Sequence, residues 1–282
     1  MRPVLALFFL CAFSAVGAAP PPPAKLSIVR ATLHDQKEDA PPIGEHYEYV
    51  SGEPIYLSFR IAGYQVKDDA VNLRWQFYIT DPDGIFLAPL ENGSLHDEVS
   101  SNDKDWLPKV QQTIALPSEL YGGSYAIHLR VADEIGQSVA EQVVQFRVRG
   151  RPKETATSLT LRAMHLYRGE DTPIPVEPAV FAPGATIWVR FEIAGYALGE
   201  KNAYDVDYGM AVYRPSGQVL YEQPSGAEEK EAPYYPKRWL HGSFSLTLSG
   251  NLTPGEYRLT VRARDKIAST TAEQSITIEV RK

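Results

Sequence analysis

The chain has 282 residues, 44% of them hydrophobic and 22% charged, the balance of a globular protein rather than a disordered one. That length allows two domains of ordinary size, each burying its own core. With 28 Lys and Arg against 35 Asp and Glu the formal charge is −7, a sign that excludes nucleic acid and anionic lipid as expected partners.

Arg2 precedes the apolar run from Val4 to Val16, and the small residues Gly17, Ala18 and Ala19 follow. This reads as a secretory signal over residues 1–19. The run is too short to span a bilayer, and no other stretch approaches about 18 apolar residues, so no membrane insertion is expected after cleavage. Residues 20–25 are a proline-rich spacer, opened by four prolines at 20–23. Cleavage would remove Cys11, the one cysteine, so neither a disulfide nor thiol chemistry is expected in the mature chain. Losing Arg2 leaves 27 basic against 35 acidic residues.

The first strand runs over Leu26 to His34, and charge and proline at 36–42 break it. Ile55 to Ala62 alternates strictly, with Ile55, Leu57, Phe59 and Ile61 on one face. Leu73 to Ile79 alternates again, with Trp75 expected inward. Asp81-Pro-Asp-Gly84 is a tight-turn sequence. Strands at Thr113 to Leu116, Tyr125 to Asp133 and Ser138 to Arg149 follow. The segment from Leu120 to Tyr125 reads L-x-x-G-x-Y and opens a half-buried strand, and a buried tyrosine ring there needs a partner for its hydroxyl.

Residues 150–158 are polar and aperiodic and mark a linker between a first domain at 26–149 and a second at 159–282. Beyond it the pattern repeats. Phe59 to Tyr64 returns as Phe191 to Tyr196, Tyr125 as Tyr257 and Ala140-Glu-Gln142 as Ala272-Glu-Gln274, each 132 positions on; Trp106-Leu107 returns as Trp239-Leu240, 133 on. Inward parity persists through Ile187, Val189, Phe191, Ile193, then Val206, Tyr208, Met210, Val212, then Tyr257, Leu259, Val261, Ala263. The expected fold is all-β: two tandem Greek-key β-sandwiches of about seven strands each, related by internal duplication.

The L-x-x-G-x-Y motif at 120–125 and 252–257, with the turn spacing and closing strands such as Ser275 to Val280, resembles immunoglobulin-like, fibronectin type III-like and macroglobulin-like sandwich repeats. That resemblance implies a tyrosine corner at Tyr125 and Tyr257. It implies no particular function, because such folds carry adhesion, spacing, inhibition and sugar binding.

Catalytic chemistry is not expected, nor a cofactor or protein-bound metal. The histidines 34, 46, 96, 128, 165 and 241 lack any metal-site spacing, and Ser124 opens a strand rather than a nucleophile elbow. Acidic residues crowd the approach to Trp106 (Asp97, Asp103, Asp105) and to Trp239 (Glu228, Glu229, Glu231), where oxygen-rich loops could hold calcium. Asn92-Gly-Ser94 and Asn251-Leu-Thr253 are glycosylation-type sequences expected in loops. Tyr56 and Trp188 occupy equivalent outward positions, and Tyr234, Tyr235 and Trp239 form an aromatic cluster beside Lys237 and Arg238. These five aromatics are the candidate binding residues. The expected function is an exported, non-catalytic structural or protein-binding module of the periplasm or cell surface. The alternative is a carbohydrate-binding module using the same aromatics with calcium assistance.

Overall fold

The computed structural model describes residues 25–281 apart from 38, 39, 45, 101, 102 and 104. The signal and most of the proline spacer lie outside the described residues. Two sandwiches follow one another, each a three-stranded sheet facing a five-stranded one. In the first, β1 (Ser27–His34), β3 (Pro54–Ala62) and β6 (Lys109–Ala115) form the smaller sheet in the order β1-β3-β6. The larger contains β2 (Glu48–Val50), β4 (Ala70–Thr80), β5 (Glu91–Glu98), β7 (Gly123–Asp133) and β8 (Ser138–Arg149), in the order β2-β8-β7-β4-β5.

The second sandwich repeats this plan. β9 (Thr160–Tyr167), β11 (Thr186–Ala194) and β14 (Trp239–Thr247) form the smaller sheet. β10 (Val180–Phe181), β12 (Tyr204–Tyr213), β13 (Val219–Glu231), β15 (Gly255–Asp265) and β16 (Thr270–Val280) form the larger. β2 and β10 each pair in parallel with the last strand of their sandwich, so the chain that begins in one sheet crosses to the edge of the other. Among the described residues each sandwich has eight strands rather than about seven, because β2 and β10 are only three and two residues long and carry no readable period.

Alternation decides which side chains fill the cores. Ile55, Leu57, Phe59 and Ile61 are buried, and so are Ile187, Val189, Phe191 and Ile193. Tyr125, Ile127, Leu129 and Val131 close the first core as Tyr257, Leu259, Val261 and Ala263 close the second. Both tyrosine corners form: Tyr125 Oη donates to the Tyr121 carbonyl at 2.8 Å and Tyr257 Oη to the Thr253 carbonyl at 2.9 Å. A deeply buried aspartate ends each corner strand. Asp133 accepts from the N–H groups of Gln65, Ile135 and Gly136 at 2.7, 3.0 and 3.0 Å. Asp265 does the same with Ala197, Ile267 and Ala268 at 2.7, 2.9 and 3.1 Å. Each carboxylate thus ties its hairpin to the residue after the A-G-Y sequence of its own sandwich, which satisfies buried donors that would otherwise be orphaned.

Trp75 faces inward with Leu73 and Phe77 and is half-buried: its ring stacks on Phe77 at 6.1 Å and lies against Gly93 of β5, at the rim of the core. Three local readings change. Asn92-Gly-Ser94 lies in strand β5, not a loop; that edge strand turns only Gly93 and Leu95 toward the core, so backbone pairing with β4 holds it with almost no hydrophobic period. Glu228, Glu229 and Glu231 lie along strand β13, where Lys266 pairs with Glu228 at 2.7 Å and Tyr204 donates to Glu231 at 2.9 Å. Finally, Pro108 lies opposite Ile61 as Leu240 lies opposite Ile193. Trp239 is therefore the counterpart of Leu107, not of Trp106, and a one-residue slip exchanges the two faces of a strand.

Candidate functional site: the joint between the sandwiches

The linker 150–158 is mostly exposed, yet its side chains fasten one sandwich to the other. The Gly122 N–H donates to the Arg151 carbonyl at 2.8 Å, which extends the first sandwich by one parallel bridge. Gly150 allows this approach: a Cβ there would sit 2.7 Å from the Leu120 carbonyl oxygen. At the far end Gly195 has φ +71° and passes so close to the linker that a Cβ would lie 2.0 Å from the Ser158 carbonyl oxygen. Both glycines are required by contact, and Gly195 by its backbone angle as well.

The turn at 81–84 is the hub. Asp81 is 4% exposed, and its Oδ1 accepts from the N–H groups of Asp83 and Ile85 at 2.9 and 2.8 Å. Its Oδ2 accepts from Tyr121 Oη at 2.9 Å and from Tyr235 Oη of the second sandwich at 3.0 Å. A buried carboxylate with four donors is well compensated for lost water. The single Tyr121 hydroxyl proton is shared with Asp83 Oδ2, 2.7 Å away, and Lys153 of the linker pairs with Asp83 at 2.6 Å. The Lys153 and Tyr121 hydrogen bonds hold the Asp83 carboxyl below its ordinary range, while burial first and Asp81 second push the Tyr235 hydroxyl far up.

A second knot lies on the other side. Arg151 grips Glu192 of β11 with two parallel contacts of 2.6 Å, and its guanidinium sits 5.1 Å over the Trp239 ring. Arg162 joins Glu192 at 3.1 Å and Glu154 of the linker at 2.5 Å. Hydrogen bonding from Arg151, then Arg162, keeps the Glu192 carboxyl below its usual value against the opposing effect of burial. Lys237 reaches Glu119 of the first sandwich at 3.6 Å. His241 stands 3.9 Å from Glu192, whose oxygens these arginines already engage.

The five candidate aromatics do not make one surface. Tyr235 is 9% exposed and packs with the first sandwich's core, and Trp239 is 5% exposed beneath Arg151. Both are inside the joint, so the exposed cluster expected at 234–239 does not exist. Apolar rings next to a domain boundary are buried by the neighbouring domain, which strand parity cannot foresee. Tyr234 remains 52% exposed, its carbonyl accepting from Asn202 at 2.7 Å. Trp188 is half-buried on the outer face of β11, between Tyr167 and Ser245. Tyr56 is half-buried on the outer face of β3, opposite His34 and Thr113.

Sequence reading missed Asp81, Asp83, Tyr121, Arg151, Lys153 and Glu192. A signal was present: where the first copy has Asp81, Asp83 and Tyr121, the second has Arg214, Ser216 and Thr253. The turn itself is kept, with Gly84 and Gly217 at φ 82° and 84°. These three departures between the copies fall at the joint.

The fold and its joint define a protein of two duplicated β-sandwiches, and comparison with known proteins adds no narrower class. No family model matches the chain, and no curated protein matches it. Among solved structures it is similar to the C-terminal domain of the Streptococcus pyogenes antigen I/II-family protein AspA, at 8% identity over 90% of this chain and 99% of that one, with a TM-score of 0.30. Red sea bream transglutaminase matches at 8% identity over 84% of this chain and 30% of that one, with a TM-score of 0.26. The Pseudomonas fluorescens alkylpurine DNA glycosylase AlkC, solved bound to DNA containing an abasic site analogue, matches at 13% identity over 46% and 32%, with a TM-score of 0.29. The chain spans about a third of the lengths of the last two. At these scores the likenesses carry no argument about activity.

Proposed function

We propose that the chain is an exported, non-catalytic structural module that holds two sandwiches in a fixed relation and engages a protein partner outside the cytoplasm. The observation that carries this reading is the joint: a buried carboxylate with four donors, from both sandwiches, together with a bidentate arginine pair from the linker. Tethered domains without such contacts move independently by default. A joint of this kind is an investment in geometry, which suits spacing or presentation rather than turnover. The segment at 1–19 supports export. Sugar binding through the aromatics is the weaker reading, since Tyr235 and Trp239 are buried.

The test is cross-linking in the native envelope, with Asp81→Asn and Tyr235→Phe combined to loosen the joint. A protein should cross-link to the parent chain and be captured less by the variant while both sandwiches stay folded. Equal capture would show that the fixed relation is not used. Mass spectrometry of the mature N-terminus and cell fractionation test the export.

A further inference from the structure

A cavity of about 280 Å³ opens on the first sandwich where the chain crosses from β1 to β2. Its walls include His34, Asp35, Tyr47, Tyr49, Glu53 and Tyr56. Three tyrosine rings and two carboxylates converge there. Tyr49 is only 2% exposed, and its hydroxyl has no hydrogen-bond partner among the described residues. An orphaned buried hydroxyl costs free energy unless something absent from the chain itself satisfies it. Burial first, then Tyr47, Glu53 and Asp35, push that hydroxyl's pKa up, so it is a neutral acceptor and donor facing negative charge. Glu53 is held in place by the Tyr47 hydroxyl and by the Val50 N–H, the latter at 2.8 Å.

The second sandwich shows what belongs in such a place. Tyr49 pairs with Val148 as Phe181 pairs with Val280, so Phe181 is the counterpart of Tyr49. His34 faces Tyr56 as Tyr167 faces Trp188, which makes Arg168 the counterpart of Asp35. The Glu53 carbonyl accepts from Leu116 as the Ala185 carbonyl accepts from Leu248, so Ala185 replaces Glu53. In that copy the Arg168 guanidinium lies 5.5 Å over the Phe181 ring, with Nη2 3.5 Å from the Val180 carbonyl oxygen. The second sandwich therefore fills the position with its own cation. The first has Asp35 in place of that cation, Glu53 in place of the alanine, and a tyrosine with an unused hydroxyl in place of the phenylalanine.

We propose that this cavity takes an arginine guanidinium presented by a protein partner. The rings supply cation–π attraction and the two carboxylates supply opposite charge, beside a Tyr49 hydroxyl that no described residue satisfies. The proposal names the partner chemistry for the protein-binding reading above and rests on it only for the source of the arginine.

The experiment titrates the full mature chain with the amide of Gly-Arg-Gly and reads tyrosine ring resonances by NMR. The controls are the same peptide with citrulline, a neutral isostere, and with lysine. Saturable shifts at Tyr47, Tyr49 and Tyr56 are expected, with citrulline about tenfold weaker or more. Asp35→Arg should abolish binding with its unfolding midpoint at or above the parent's, because it restores the arrangement of the second sandwich. In that second sandwich, Arg168→Asp combined with Phe181→Tyr and Ala185→Glu should create binding. No saturation at millimolar peptide, equal binding of citrulline or lysine, or binding that survives Asp35→Arg would overturn the assignment. Peptide binding without any envelope partner would leave this cavity standing and remove the partner reading instead.

Discussion

Tyr235 and Asp81 lie 154 residues apart in the chain and in different sandwiches, yet the tyrosine hydroxyl donates to the aspartate Oδ2 at 3.0 Å inside the buried joint. That one bond joins a loop of the second copy to a turn of the first. It also explains why Tyr235 is shielded while its neighbour Tyr234 is open.

Tyr235→Phe should lower stability by about 2 kcal/mol, the ordinary worth of a hydrogen bond to a buried charge. Proteolysis within 150–158 should speed up while each sandwich keeps its near-ultraviolet signature. Urea unfolding with a change under about 0.5 kcal/mol would show that the bond does not hold the joint.

Trp239→Ala should cost about 4 kcal/mol, since it removes a buried ring and leaves Arg151 without its platform. Trp188→Ala, at a half-buried outer position, should cost about 1 kcal/mol or less. Chemical denaturation of the pair separates them, and equal costs would contradict the placement of Trp239 in the joint.

Asp133→Ala and Asp265→Ala should be matched lesions of about 3 kcal/mol each, because each strips three backbone N–H groups of their acceptor. Hydrogen exchange should rise at Gln65, Ile135 and Gly136 in the first variant and at Ala197, Ile267 and Ala268 in the second. Protection unchanged at those amides would refute the capping role.

Acid should loosen the linker knot. The Glu192 carboxyl is depressed chiefly by the Arg151 hydrogen bond, and Glu154 of the linker is depressed too. A lowered folded-state pKa means stability that is complete above the unfolded value, about 4.3 for Glu, and lost as pH falls through the folded value. Unfolding free energy should therefore decline below about pH 4.3, and Glu192→Gln should flatten that decline. Parallel curves for parent and variant would remove Glu192 from the account.

The two-sandwich fold and its inward residues were legible before any coordinates, because period-two alternation from Ile55 to Ile61 and from Ile187 to Ile193 permits one buried face only. The corner tyrosines were legible for the same reason, since a ring with a hydroxyl at that parity must find an acceptor. Edge strand β5 was not, because Gly93 and Leu95 alone face the core and a single apolar side chain makes no rhythm.

Sequence by itself thus determined the duplication, the core faces and the corners, all of which depend on neighbours within one strand or one hairpin. Tertiary structure alone decided that Tyr235 and Trp239 are covered, that Asp81 collects donors from both copies, and that Asp35 and Glu53 share a cavity with Tyr49. Those facts depend on contacts between distant segments, whose burial and charge pairing are set by how the two sheets and two sandwiches close on each other rather than by any local period.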